Sequence, residues 1–229
     1  SAHLLALIND VLDFSKIDAG KLELDTATFD LEEAIFDVKV MLSPLAAQKH
    51  IDMAFYYADN VPKHVVGDAL RFKQILTNLI SNAIKFTPDG EIIVRARMEQ
   101  DDIGQCLLHF SVQDSGIGLS GTDRKKLFES FSQGDASVTR QFGGTGLGLA
   151  ISKQLVHLMQ GQIGFEDNQE RAQTEKGSTF WFTAMFMVNE EDEYVEHPQF
   201  NDMQVVSYLA HPATANILRH YLEDYAVEH

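Results

Sequence analysis

Three polar side chains recur on one face of an otherwise apolar segment. In QILTNLISNAIKFT (74–87), Asn78, Asn82 and Lys85 stand at i, i+4 and i+7, a spacing that lines them up along one side of a helix. Asparagine is a poor helix former, so two in an apolar helix need a reason. A solvated polar edge is common, but apolar residues flank this row on both sides, which favours a functional role. Amide oxygens suit a hard cation such as Mg²⁺, and a lysine one turn further on suits a phosphate. DSGIGLS (114–120) holds one carboxylate, Asp114, followed by Gly116 and Gly118. That makes a tight turn on which a flat ligand could lie, although D-x-G-x-G taken alone is better explained as a plain turn. LFESF (127–131) taken alone reads as a short helix packing Phe128 and Phe131.

FGGTGLGLAISKQL (142–155) places four glycines within six residues, directly before an apolar-periodic segment. Glycine lets another group approach the backbone closely. A helix start offers unpaired N–H groups and a positive dipole end, and together these favour an anion, most often a phosphate. A glycine-rich hinge explains the stretch alone equally well. Two familiar phosphate loops are excluded by spelling. Counting from Gly143 to Gly148, Leu149 stands where a P-loop needs lysine; after Gly144 and Gly146, Leu149 stands where a dinucleotide loop needs its third glycine.

The elements that must position these residues follow from periodicity. Residues 3–16 carry Leu4, Leu7, Val11 and Phe14 at heptad-like spacing, widened by Leu5, Ile8 and Leu12, and read as a bundle or coiled-coil helix that stops near Gly20. TFDL (28–31) opens a second helix capped by Asp30, with Glu33 as its capping-box partner and Leu31, Ile35, Val38, Leu42 and Leu45 as its stripe. IDMAFYY (51–57) reads as a strand. Gly67-Asp68 opens the asparagine helix, 69–86, with Leu70, Ile75, Leu76, Leu79, Ile80, Ala83 and Ile84 apolar. Residues 91–98 and 106–114 read as two antiparallel strands, TDRKKLFESF as a short helix, and the helix after the glycines as ending near Met159 with Gly161 as its stop. Residues 162–167 and 178–186 read as the last strands. This order indicates an α+β two-layer sandwich: one sheet, with helices on one face.

Composition narrows the chemistry. The net charge of −16 over 229 residues argues against nucleic acid as a partner. It leaves room for one nucleotide, which needs only a few local donors. The single cysteine, Cys106, lies in an apolar run and reads as core filling; it can form neither an internal disulfide nor a cysteine metal cluster. The nine histidines are scattered without zinc-ligand spacing. No apolar run approaches bilayer-spanning length.

The order of the motifs is far more specific than any one of them: asparagine-lysine helix, DSGIGL, LFESF, GGTGLGL, then GSTF (177–180). In that order the chain resembles the catalytic, ATP-binding domain of sensor histidine kinases, within the superfamily of gyrase, heat-shock chaperone and mismatch-repair ATPases. The resemblance covers about residues 1–187, and the arrangement looks like that of a hybrid sensor kinase of the BarA/GacS type. It implies the Bergerat ATP-binding fold over residues 25–188. It also implies the second helix of a dimerisation domain over 1–24, an acidic linker over 189–202 and the start of a receiver-like domain over 203–229. The implied cofactors are ATP and Mg²⁺, with Asn82 as the metal ligand and Asn78 and Lys85 along the phosphates. Asp114 is implied to accept the adenine amino group, in a turn formed by Gly116, Ile117, Gly118 and Leu119. Phe128 and Phe131 would anchor a lid containing Thr139 and Arg140, with Arg140 reaching the γ-phosphate. Gly144, Thr145, Gly146, Leu147 and Gly148 would supply the N–H cradle, and Thr179 completes the set.

The resemblance also bears on the reaction. Superfamily hydrolases carry a glutamate base one turn before the metal-binding asparagine, and here that position is Asn78. The family's acceptor histidine stands in a His-Glu motif, which none of the nine histidines shares; His3 reads as a surface residue. The chain therefore reads as a nucleotide-binding module of a longer protein, unable to phosphorylate itself. The implied partners are its own dimerisation helix, a second kinase subunit, and a response regulator or phosphotransfer domain, in a protein of the bacterial inner membrane. MQVVSYLAHPAT (203–214) lacks the acidic pair a working receiver needs and offers only His211. A nucleotide-sensing module without turnover and an ATPase remain as alternatives.

Residues 132–146 combine glycine and small polar residues with few apolar anchors, so they have little to bury without nucleotide. Their amide exchange is expected to slow when ATP is added. Exchange already slow and unchanged by ATP would contradict a closing segment.

Overall fold

The computed structural model describes residues 11–118, 127–128, 146–167 and 177–188, together with residues 215 and 218. Helical residues 11–18 end at Gly20, whose φ of +63° is the left-handed stop glycine allows. The chain then runs through β1 (Ala27–Asp30), α1 (Leu31–Gln48), β2 (Ile51–Tyr57), β3 (His64–Gly67), α2 (Ala69–Phe86), β4 (Gly90–Asp102), β5 (Gln105–Asp114), α3 (Gly148–Leu158), β6 (Ile163–Asp167) and β7 (Ser178–Met187). The strands form one sheet in the order β1-β3-β7-β5-β4-β2, with β6 also on β7. All pairings are antiparallel except β2 with β4, which the α2 crossover makes parallel. The expected α+β two-layer architecture is the observed one.

α2 is the centre of the core. Asp68 caps it, accepting from the Arg71 amide at 3.0 Å and from the Asp25 amide at 3.0 Å. Phe72, Ile75, Leu76, Leu79 and Ile80 are almost fully buried, and each such side chain is worth about 1.5–3 kcal/mol of transfer free energy. Phe72 lies 4.9 Å, ring to ring, from Phe110, which stacks on Phe182 at 4.9 Å. These rings join α2 to the two central strands, β5 and β7. Because the sheet holds the apolar face of α2, its polar row must point along the remaining edge.

Several expectations need correction. Thr28 and Phe29 belong to β1, paired with β3, and the helix begins only at Leu31; Asp30 does cap it, accepting from the Glu33 amide at 2.9 Å. Neither β1 nor β3 was legible, because four residues are too short to show a period. Leu45 is exposed and Ala46 takes its place in the core. Leu70, in the first turn of α2, is also exposed, and Phe72 is the aromatic that packs. Val11 and Leu12 are exposed, while Phe14 and Ile17 lie against the core. The left-handed residue ending α3 is Gln160, not Gly161. Gly161 serves close packing: a Cβ there would overlap the Thr183 carbonyl. The short helix expected over 122–131 falls outside the described residues, except Leu127 and Phe128, which lie in a turn against the core.

Burial holds the Cys106 thiol up to about 11, with Asp101 adding to the rise. Cys106 is thus a core residue, as its apolar run suggested.

Candidate functional site

The site grows from the exposed edge of α2. Asn82 donates from Nδ2 to Asn78 Oδ1 at 3.4 Å, so the two amides form one row as the spacing predicted. Asn78 in turn donates from Nδ2 to Ser152 Oγ, on α3, at 2.9 Å. This bond pins α3 to α2, and it explains Gly148. A Cβ at Gly148 would overlap the Asn78 amide oxygen, so only glycine lets the start of α3 come this close. Among the described residues no side chain caps α3, whose N-cap is the buried Leu147; Gly146 before it has a φ of +69°. An uncapped helix start beside a row of amides offers donors to an anion. Lys85, two turns beyond Asn78, lies with Nζ 4.9 Å from the Phe86 ring centroid, and burial lowers its pKa.

Asp114 stands at the end of β5, paired in register with Ser178 of β7. Its carboxylate is buried and tied down from two sides. Ser178 Oγ donates to Oδ2 at 2.6 Å and the Gly116 amide donates to Oδ1 at 2.9 Å. Burial raises the carboxyl pKa, and these bonds oppose the rise. The turn after it is fastened to α2, because the Ile117 amide donates to the Phe86 carbonyl at 3.3 Å. A Cβ at Gly116 would lie 2.5 Å from that same carbonyl. Gly177 has a φ of +105°, and a Cβ there would overlap the Asp114 carbonyl. Glycine is required at each of these close approaches. Ile117 itself is exposed, leaving an apolar surface beside a fixed carboxylate.

The structure therefore brings together Asn78, Asn82 and Gly148 directly. It places Lys85, Asp114, Gly116, Ile117 and Gly118 at the junction of α2 with the end of β5. Thr179 is buried on β7, opposite Gln113. Leu119, Phe131, Thr139, Arg140, Gly144 and Thr145 lie outside the described residues. Two participants escaped the sequence reading. Ser178 was inside the quoted GSTF start but read as a strand residue. Ser152 was the one small polar residue on the buried face of α3, four positions after Gly148.

Residues 67–186 match the model of the family described as histidine kinase-, DNA gyrase B-, and HSP90-like ATPase. The chain belongs to that family. Among relatives of this chain, Sensor histidine kinase GacS of Pseudomonas protegens is 43% identical over 226 residues, 98% of this chain and 24% of that protein. Signal transduction histidine-protein kinase BarA of Escherichia coli is 42% identical over 180 residues, 79% of this chain and 19% of that protein. The chain thus spans a quarter or less of these relatives. The crystal structure of full-length ShkA in complex with AMPPNP superposes with a TM-score of 0.81 at 30% identity, covering 99% of this chain and 44% of that one.

Ser152→Ala tests the pin between α2 and α3. It leaves the Asn78 amide donor without its partner, and the expected loss of stability is about 1 kcal/mol. An unchanged melting temperature would show that the Asn78–Ser152 bond contributes nothing.

Proposed function

We propose that the chain is the ATP-binding catalytic portion of a two-component sensor histidine kinase, transferring the γ-phosphate of ATP to a histidine on a dimerisation helix. Asn78 is the observation that carries this reading. It stands where a hydrolytic relative would hold a carboxylate base, and its amide is committed to Ser152. It can neither take a proton from water nor leave its bond without unpinning α3. A histidine acceptor needs no such base, because a neutral imidazole is already nucleophilic.

The chain's own residues bind and orient. Asp114 accepts the adenine amino group, and Ile117 packs beside the base. Lys85 and the start of α3 receive the phosphates. The Asn82 amide nitrogen is turned to Asn78, which leaves the amide oxygen as the donor atom not used within the row, and a hard oxygen fits Mg²⁺. Bound Mg²⁺ supplies neutralisation of the charge on the phosphate oxygens. Phosphoryl transfer then depends on positioning and electrostatics rather than on a base. Within this reading residues 1–24 belong to the dimerisation domain, 25–188 bind nucleotide, 189–202 link, and 203–229 begin a receiver-like unit. The whole protein pairs with a second subunit, passes phosphate to a response regulator or phosphotransfer domain, and sits in the bacterial inner membrane. Among the described residues no helix is long and apolar enough to cross a membrane.

The chain of 229 residues is expected to bind Mg-ATP and not to label itself, since none of its nine histidines carries the acceptor motif. Transfer needs a nucleophile held in line near contact distance. Addition of a polypeptide bearing the His-Glu dimerisation helices should then yield label that is acid-labile and alkali-stable. Steady phosphate release without any phosphohistidine would favour the ATPase reading instead.

A further inference from the structure

A helix leaves its last four carbonyls without partners of its own. In α2 all four are accounted for, and the donors are informative. Ala83 O accepts from the Thr87 amide at 3.0 Å, and Phe86 O accepts from the Ile117 amide at 3.3 Å. The two between them, Ile84 O and Lys85 O, accept from Lys49 Nζ at 2.7 and 3.0 Å, and the same ammonium reaches Thr87 O at 3.3 Å. An ammonium carries three N–H donors, and three carbonyls face it. Lys49 is the cap residue just past α1, far from α2 in sequence.

We propose that Lys49 is a positioning residue for nucleotide binding: by gripping the last turn of α2 it holds Lys85 and the Asp114–Ile117 turn in fixed relation. The proposal rests on the ATP-binding reading above. Its force lies in what the gripped turn touches on either side. Lys85, whose carbonyl Lys49 holds, faces the phosphates. Phe86, one residue on, offers the carbonyl to which the adenine-side turn is tied, with Gly116 packed so tightly that a Cβ would sit 2.5 Å from it. A small shift of this turn therefore moves both halves of the site. A cation at a helix C-terminus is also favourable in its own right, and a half-buried turn with two unsatisfied carbonyls is not.

Lys49→Met keeps the aliphatic stem and removes the donors; Lys49→Arg keeps donors and charge. Both are compared with the parent chain at a temperature where circular dichroism shows all to be folded. In Lys49→Met, Mg-ATP affinity by calorimetry is expected to fall about 5- to 30-fold, less than the full loss of a charged hydrogen bond because Lys49 acts through the turn it holds, with Lys49→Arg recovering most of it. In a Lys85→Ala background the same change should cost much less, because coupled residues are not additive. Without nucleotide, the Ile117 amide should exchange about tenfold faster in Lys49→Met. Unchanged Ile117 exchange overturns the proposal, as does faster exchange with ATP affinity within twofold of the parent. If the parent chain itself bound no ATP, the ATP-binding reading would fail by that result alone, and the exchange measurement would still decide whether Lys49 holds the junction.

Discussion

Asp114→Ala is expected to weaken ATP binding by about 1–3 kcal/mol, roughly 5- to 150-fold, the cost of a lost charge-assisted hydrogen bond. The prediction follows from the way this carboxylate is held. Ser178 and the Gly116 amide fix both oxygens, so little rotamer freedom is left to lose on binding. Alanine would also leave those two donors unpaired, so folding stability must be measured beside affinity. Asp114→Asn separates the effects. It keeps the shape but replaces one acceptor oxygen with an NH₂ donor and removes the charge that would strengthen a bond from the adenine amino group. Equal ATP affinity of parent and both variants would remove Asp114 from the site. The pH dependence gives an independent check. Burial holds the folded-state pKa of Asp114 above its unfolded value. The folded chain then binds the proton more readily than the unfolded one between those two values. Asp114's contribution to stability therefore falls as pH rises through that window and is constant above it. ATP affinity runs the opposite way, because protonation removes the acceptor. Both dependences should be reduced in Asp114→Asn.

Asn82→Ala is expected to abolish most of the gain in ATP affinity that Mg²⁺ provides. A ligand atom should matter at least as much as the outer-sphere partners whose mutation costs roughly 10- to 100-fold in metal affinity. In a chelator the variant and parent should bind ATP alike, since the hydrogen bond that Asn82 gives to Asn78 is long, at 3.4 Å, and holds the row only weakly. Lys85→Ala should behave differently, weakening ATP with or without metal, because its charge acts on phosphate directly. Calorimetry with and without Mg²⁺ resolves the three proteins. A full magnesium effect in Asn82→Ala would mean that the row on α2 does not hold the cation.

Asn78 ties these two predictions to the choice of reaction. In the sequence it was a candidate phosphate neighbour and a departure from the hydrolytic pattern. In the structure it is the joint between α2 and α3, holding Ser152 with its nitrogen, Asn82 with its oxygen, and packing on Gly148. A carboxylate in its place would carry no N–H for Ser152 and would set a negative charge beside the start of α3. The residue that, in the proposed function, leaves no base for water is thus also the joint between α2 and α3.

The sequence by itself determined the long elements and singled out the polar and glycine residues that the fold brings to the edge and last turn of α2. α2, β2, β4, β5 and α3 fall where period, caps and turn residues put them, because each is long enough to show its own pattern and is bounded by strong turn or helix-end signals. Asn78, Asn82, Asp114 and the glycines were legible because polar or bare residues inside apolar runs conflict with local preference, and such conflicts mark function. What only the tertiary structure decided are relations between segments far apart in the chain. β1 and β3 exist because β3 pairs with β7 and β1 pairs with β3 at the sheet edge, not because four residues prefer to be extended. Ala46 rather than Leu45 is buried because the direction of α1 is set by what it packs on. Ser178 and Ser152 acquire roles only when β7 meets β5 and α3 meets α2. Lys49, an ordinary surface lysine in the sequence, becomes the cap of a helix that begins twenty residues after it. Periodicity is a property of neighbours in sequence, whereas a hydrogen bond across 35 or 74 residues is decided only when the core brings its ends together.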